Sequence, residues 1–386
     1  MIDSHRVSLG LGVGTAPSLK RVHLLLRVAR TLGFDAAWTV DHFQSFYPTA
    51  LWDRDFTWMA KPGTSPHPYF DYQSLVGHLA ARAGRLHLGV GVTESIRRHP
   101  VLLAQAALTW SHLTKRNPIL GIGAGERENV DPYGLDFDRP VTRLDEALQI
   151  IRLCFDSEGP IDFSGQFFTL RRAVMDLKPA PGNRPQLWVA AHGPRMLRLT
   201  GRYADGWYPT LPMTPQEYGD ALGVVRAEAT AAGRDPDAIV PAWQVFVVIG
   251  RTQAQARRLL DSRFVRFMAL LGPATTWRRH GAAHPLGEEF RGMIDFVPER
   301  YGRAELEAAM AKVPTDVVAA SVLWGTPDQL LHQLGDHVDA GLRHIVMAPG
   351  SAAVSRRDAL YSLRQMVRIL HKVRAAGVPG DTAADH

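Results

Sequence analysis

Alternation constrains this chain more than any other feature. Eight strand-like runs are separated by segments in which apolar residues recur at helical spacing. The runs are 7–14, 36–40, 86–93, 119–125, 186–191, 206–209, 243–249 and 344–348. Between them, 18–33 carries Val22, Leu25, Leu26 and Ala29 on one helical face and stops at Gly33. Helical spacing returns in 75–83, 101–113 and 142–155, and near Arg195. Thr214-Pro215-Gln216-Glu217 reads as a capping box with proline at the first helical position, and Thr326-Pro327-Asp328 opens another helix. Strands alternating with helices pair in parallel under a helical cover, and eight repeats predict an α/β fold closed as a (β/α)₈ TIM barrel. An open doubly wound sheet is the alternative. A single domain over 1–376 is expected, with a small, polar tail from Gly377 to His386 that should be frayed.

Two stretches exceed what a barrel needs: 44–71 after the second strand and 271–314 before the eighth. Loops of this length are usually lids or binding loops. The first holds Trp52, Phe56, Trp58, Tyr69 and Phe70. These either pack onto the barrel's own helices or form an apolar wall over its mouth.

Composition narrows the function. The single cysteine, Cys154, excludes a disulfide framework and a cysteine-built zinc site. It lies in a periodic stretch and reads as a small buried hydrophobe. The net charge of +6 would tolerate an anionic partner, but long basic runs and RNA-binding aromatic signatures are missing, so nucleic acid is not expected. Apolar runs of membrane-spanning length and a secretory leader after Met1 are also missing, and a cytoplasmic protein is expected.

Chemistry should sit at the strand ends. Gly10, Gly12 and Gly14, Gly89 and Gly91, and Gly121, Gly123 and Gly125 clear one face of three strands. Either a tapered barrel interior needs small residues there, or a flat ligand lies on bare backbone. Glu126 stands where a third glycine of G-x-G-x-x-G would be, which argues against a dinucleotide fingerprint. Asp41-His42 closes the second strand and Glu126 the fourth. His42 and Glu126 make a plausible acid–base pair at the mouth, although either could be structural. Arg97-Arg98-His99, after the third strand, fits a solvated turn or a phosphate clamp. His192-Gly193-Pro194-Arg195 offers backbone N–H groups at a helix start as an anion site. His280, His284 and Glu288 have metal-ligand spacing, but Gly281, Pro285 and Gly287 disfavour the helix they would need, so no metal is expected.

Asp41-His42-Phe43-Gln44, Gly121 to Glu126 and Ala190 to Pro194 resemble the cofactor positions of the luciferase-like family of barrel oxidoreductases. The first two resemble its branch that uses the deazaflavin coenzyme F420. Phe46 stands where sugar-phosphate dehydrogenases of that branch carry tryptophan, and their phosphate-binding lysines have no counterpart, which disfavours a sugar phosphate. A closer resemblance, to the dimycocerosate ketoreductases of that branch, covers most of the chain. It includes 119–128, 132–134, 188–198, 200–205 and 279–281.

The resemblance implies an oxidoreductase, a ketoreductase that takes hydride from reduced F420 to a small-molecule ketone of apolar character, and a homodimer. It implies His42 and Glu126 as catalytic residues. His42 is the first candidate to protonate the nascent alkoxide, and Glu126 to manage the proton at the cofactor's N1 edge, though the roles could be exchanged. It implies cofactor contacts at Asp41, Val90, Gly91, Thr93, Gly123, Gly125, Asn129, Ala190, Ala191, His192, Gly193, Pro194 and Arg195. It also implies a non-proline cis peptide at Val90–Gly91, within a residue. An FMN-dependent monooxygenase and a non-catalytic flavin- or lipid-binding barrel remain as alternatives.

Overall fold

The computed structural model describes residues 1–14 and 16–376; the expected frayed tail lies outside them. Eight parallel strands close the barrel: β1 Ser8–Gly12, β2 Ala36–Thr39, β3 His87–Glu94, β4 Ile119–Gly123, β5 Gln186–Val189, β6 Gly206–Trp207, β7 Val240–Ile249 and β8 His344–Pro349. Each pairs with its neighbour in sequence, β8 pairs with β1, and β6 pairs with β7, so the open-sheet alternative is excluded. Every strand falls where the alternation put it, with ends moved by a few residues.

Side chains fill the barrel interior. Trp38, Trp188, Tyr208 and His344 pack at its centre, with Trp38 and Tyr208 stacked at 4.7 Å between ring centroids. The Trp38 indole N–H donates to His344 Nε2 at 3.1 Å. Burial lowers the His344 pKa to about 3, so the imidazole stays neutral and accepts. These indoles explain part of the glycine pattern. A Cβ on Gly10 would sit 2.5 Å from Trp38 Nε1, one on Gly89 2.7 Å from the Trp38 ring, and one on Gly206 2.5 Å from Trp188. At Gly12, by contrast, a Cβ would meet nothing within 4 Å. The tapered-interior reading therefore holds low in the barrel, and the cleared face remains only toward the mouth.

The second excess segment, 271–314, holds the helices Ala274–Arg279 and Arg303–Ala311 and lies within a longer run of short helices. After β7 come short helices at Gln253–Leu260, Arg263–Leu270, Ala274–Arg279, Arg303–Ala311 and Thr315–Ala320, then a three-residue strand, Leu323–Gly325, paired to the end of β7. None of these helices exceeds nine residues, too few turns for a period to show. They share a second core with the 44–71 loop. Leu51 and Phe56 are buried among Phe264, Phe267 and Phe296, with Trp52 packed beside them. Trp58 donates its indole N–H to the Ala352 carbonyl, and Phe70 packs on the main core. Trp52 and Phe56 thus tie the loop to the helices after β7, while Trp58 and Phe70 pack elsewhere on the barrel.

A hairpin of Ile161–Ser164 and Thr169–Ala173, absent from the sequence reading, is held at its turn by buried Glu146. That carboxylate accepts the N–H groups of Gln166, Phe167 and Phe168. Cys154 is buried in the helix Pro140–Asp156, where burial raises its thiol pKa to about 11. No helix among the described residues is long and apolar enough to cross a membrane.

Candidate active site

The site lies beyond the C-terminal ends of β2, β3 and β4, where barrels of this architecture place their chemistry. β2 stops at Thr39, and Asp41 and His42 diverge from there. Asp41 turns inward and is 5% exposed. Its Oδ2 accepts from Thr93 Oγ1 at 2.7 Å, Arg97 at 2.9 Å and Arg98 at 2.7 Å. Arg97 also donates to Glu94, which caps the N–H groups of Ile96 and Arg97. Arg98 reaches on to Asp71, the N-cap of the helix Tyr72–Ala83. Arg97-Arg98 is therefore neither a solvated turn nor an open phosphate clamp. Asp41 and Thr93, expected at the cofactor, form with these arginines a buried strut beneath the site.

His42 lies above that strut, its side chain 16% exposed. Its Nδ1 is 2.8 Å from Oε1 of Glu128, a carboxylate 1% exposed. Asn129 clamps the pair: its Oδ1 accepts the Phe43 N–H at 2.7 Å, which turns its amide nitrogen toward Glu128 Oε1 at 3.1 Å. Gln44 donates to the Glu128 carbonyl and fixes that backbone. Glu126 is half-buried at the end of β4. Ligating atoms of His42, Glu126 and Glu128 lie within 4.8 Å of one another.

Proton affinities follow from this crowding. Burial alone would lower the His42 pKa. The hydrogen bond and charge of Glu128, with Glu126 and Asp41 behind, outweigh it and raise the pKa to about 8. Burial, then the Glu128 charge, pushes Glu126 up to about 7 against the opposing His42 and Arg97. Tyr69 is the loop aromatic that reaches this site, its ring 5.5 Å from that of His42.

The other expected contacts line the same end of the barrel. Val90 is buried in β3, and its carbonyl leaves no room for a Cβ on Gly121. A Cβ on Gly91 would come 3.1 Å from Tyr208 and one on Gly123 3.2 Å from Val92, while Gly125 turns with φ +93°. The cis bond is Gly91–Val92, one bond beyond the expected Val90–Gly91. The β3–β4 register shifts between Val90 and Thr93.

Ala190 and Ala191 follow β5, and the Ala191 carbonyl accepts the Trp207 indole N–H at 2.9 Å. Burial holds the His192 pKa down to about 4. Gly193, Pro194 and Arg195 are exposed at the start of the helix Pro194–Tyr203, whose first turn has no side-chain cap. Those N–H groups face solvent, and Arg195 reaches back to Thr142 Oγ1 at 3.0 Å. The His280–His284–Glu288 spacing builds no shared site. His284 is buried between Trp277 and Phe290, with Nε2 3.0 Å from the Leu270 carbonyl oxygen.

Sequence reasoning missed Glu128. Its one signal was position, two residues beyond the strand-closing Glu126.

The chain is 38% identical over 377 residues to phthiodiolone/phenolphthiodiolone dimycocerosates ketoreductase of Mycobacterium sp. (strain JLS), covering 96% of this chain and 98% of that one. Its fold matches an F420-dependent secondary alcohol dehydrogenase solved with an F420-acetone adduct, with a TM-score of 0.72 at 18% identity over 95% and 99% of the two chains. It also matches riboflavin lyase solved with modified FMN and riboflavin, with a TM-score of 0.69 at 14% identity over 97% and 93%. A family model for luciferase-like monooxygenases spans residues 2–344, and the chain belongs to that family.

Proposed function

We propose that this protein is an F420-dependent oxidoreductase that reduces the ketone of an apolar, lipid- or polyketide-like substrate. One observation carries the chemistry: an imidazole and a carboxylate from two strand ends, both with raised proton affinity, meet at one barrel mouth. Such tuning places proton-transfer groups near the working pH. The ketoreductase relative, similar over nearly the whole chain, supplies the direction.

The residues fit a deazaflavin. The face at Gly12 is open, with nothing for a Cβ to meet, and the uncapped helix start at Gly193–Arg195 suits an anionic group. Bound reduced F420 would deliver hydride to the carbonyl carbon and release a proton from its own ring edge. His42, held by Glu128 through Nδ1, would present Nε2–H and give that proton to the carbonyl oxygen as its π pair arrives. The Glu126 carboxylate would accept the proton released at the ring edge. Solvent then reprotonates His42 and takes the proton from Glu126. Asp41 and Arg97 keep the His42 backbone in place, and Tyr69 shields the imidazole. The proposal extends to a cytoplasmic homodimer that binds no nucleic acid, in keeping with the dispersed positive charge.

Titration of the purified protein with F420 and with FMN tests the cofactor, and anaerobic oxidation of reduced F420 by an apolar ketone tests the reaction. Tighter F420 binding and oxygen-independent turnover are expected. Tighter FMN binding with oxygen-dependent activity would replace this reading with a monooxygenase, which the fold also accommodates. Cofactor binding without turnover would leave a binding barrel.

A further inference from the structure

We propose that Glu128 is a positioning residue: a buried carboxylate behind the imidazole that orients His42 and sets the protonation of both His42 and Glu126. This rests on the reading of those two groups as the proton-handling pair.

The geometry is specific. Oε1 of Glu128 faces His42 Nδ1 at 2.8 Å and the Asn129 amide nitrogen at 3.1 Å. The Asn129 orientation is fixed independently, because its Oδ1 accepts the Phe43 N–H. Oε1 therefore accepts an Asn129 N–H and faces Nδ1, with the Asn129 amide nitrogen also 3.0 Å from Nδ1; the proposal places a proton on Nδ1, shared with Oε1. The tautomer follows: Nε2 is left to point away from Glu128. Oε2 of Glu128 is buried and has no hydrogen-bond partner. A buried ionised group with one unpartnered oxygen is costly unless a cation sits beside it, so the same charge that needs His42 protonated keeps it so.

That charge also acts on Glu126, whose ionisation would place a second anion within 4.8 Å of the first. The remaining groups around the imidazole are Asp41, Tyr69 and Glu126, with Arg97 and Glu94 beneath. Arg97 already pairs with Asp41 and Glu94, which leaves Glu128 as the carboxylate in direct contact with the ring.

Glu128→Gln keeps the shape and removes the charge. Both pKa values should fall together, by about one pH unit or more for His42. Histidine NMR titration of the ligand-free protein, with the His42 signal assigned by its loss in His42→Ala, reads this without turnover. In the kcat/KM profile both limbs should move to lower pH. A filler role would lower the profile's height and leave its limbs in place. Glu128→Asp, which keeps the charge, should restore part of the shift. An unmoved His42 titration in Glu128→Gln overturns the inference. If Glu128→Gln fails to fold, wild-type protein decides: a His42 that titrates at or below its ordinary value of about 6.5 overturns it. Wild-type protein that fails to reduce an apolar ketone while the NMR shift in Glu128→Gln is seen would instead discredit the proposed reaction and leave the role of Glu128 standing.

Discussion

A narrow bell in the pH dependence of kcat/KM is the sharpest consequence of the site. Ketone reduction as proposed needs His42 protonated, to give, and Glu126 ionised, to accept. His42 is raised to about 8, so its donor form is lost as pH rises through that value. Glu126 is raised to about 7, so its acceptor form is lost as pH falls through that value. The productive pair then peaks near pH 7.5 at about 0.6 of the molecules and falls to about 0.1 at pH 6 or pH 9, roughly a six-fold loss on either side. The limbs belong to the coupled pair, so single substitutions must assign them. Glu126→Gln should flatten the acid limb and His42→Ala the alkaline one, each with a loss of about 10²–10⁴-fold at the optimum. The assay is anaerobic oxidation of reduced F420 by an apolar ketone, followed from pH 5.5 to about 9.5. A flat profile across that range, or a bell that both variants retain, would refute the assignment.

Asp41→Asn should leave Arg97 half-paired and cost about 3 kcal/mol, the low end for a broken buried pair because Glu94 remains. Unfolding entropy of ~0.8 kcal/mol/K for a chain this long converts that to an apparent Tm lower by about 4 °C in a calorimetric scan; an unchanged Tm would show that the strut carries no load. Phe56→Ala should destabilise by about 3–5 kcal/mol in denaturant unfolding, because Phe56 anchors the loop in the second core. Tyr69→Ala should instead raise KM for an apolar ketone with F420 affinity nearly unchanged. Gly12→Ala should weaken F420 binding at constant Tm, since its Cβ meets only open space, whereas Gly89→Ala should lose about 1–3 kcal/mol against the Trp38 ring.

What the sequence disclosed depended on how local the cause was. Barrel strands are short apolar runs between glycines and polar turns, and their pattern needs only neighbouring residues to be seen. The strand ends are equally local, so Asp41-His42 and Glu126 stood out. The surroundings of Asp41 were not legible, because its partners, Arg97 and Arg98, lie 56 and 57 residues away. Spacing cannot distinguish a carboxylate turned to a ligand from one turned to an arginine. The glycines were ambiguous for a related reason: Gly89 makes room for an indole from β2, and Gly12 for nothing in the chain. Glu128 was hidden more deeply. Three acidic or amide side chains, Glu126, Glu128 and Asn129, lie within four residues of one another after β4, and composition treats them alike. The backbone separates them. A 3₁₀ turn over Arg127–Asn129 advances about 120° per residue, so Glu126 and Glu128 leave the chain in different directions. One carboxylate stays half-exposed while the other is buried behind the imidazole. That rotation places one carboxylate behind His42, where the proposed positioning role would act, and leaves the other at the mouth.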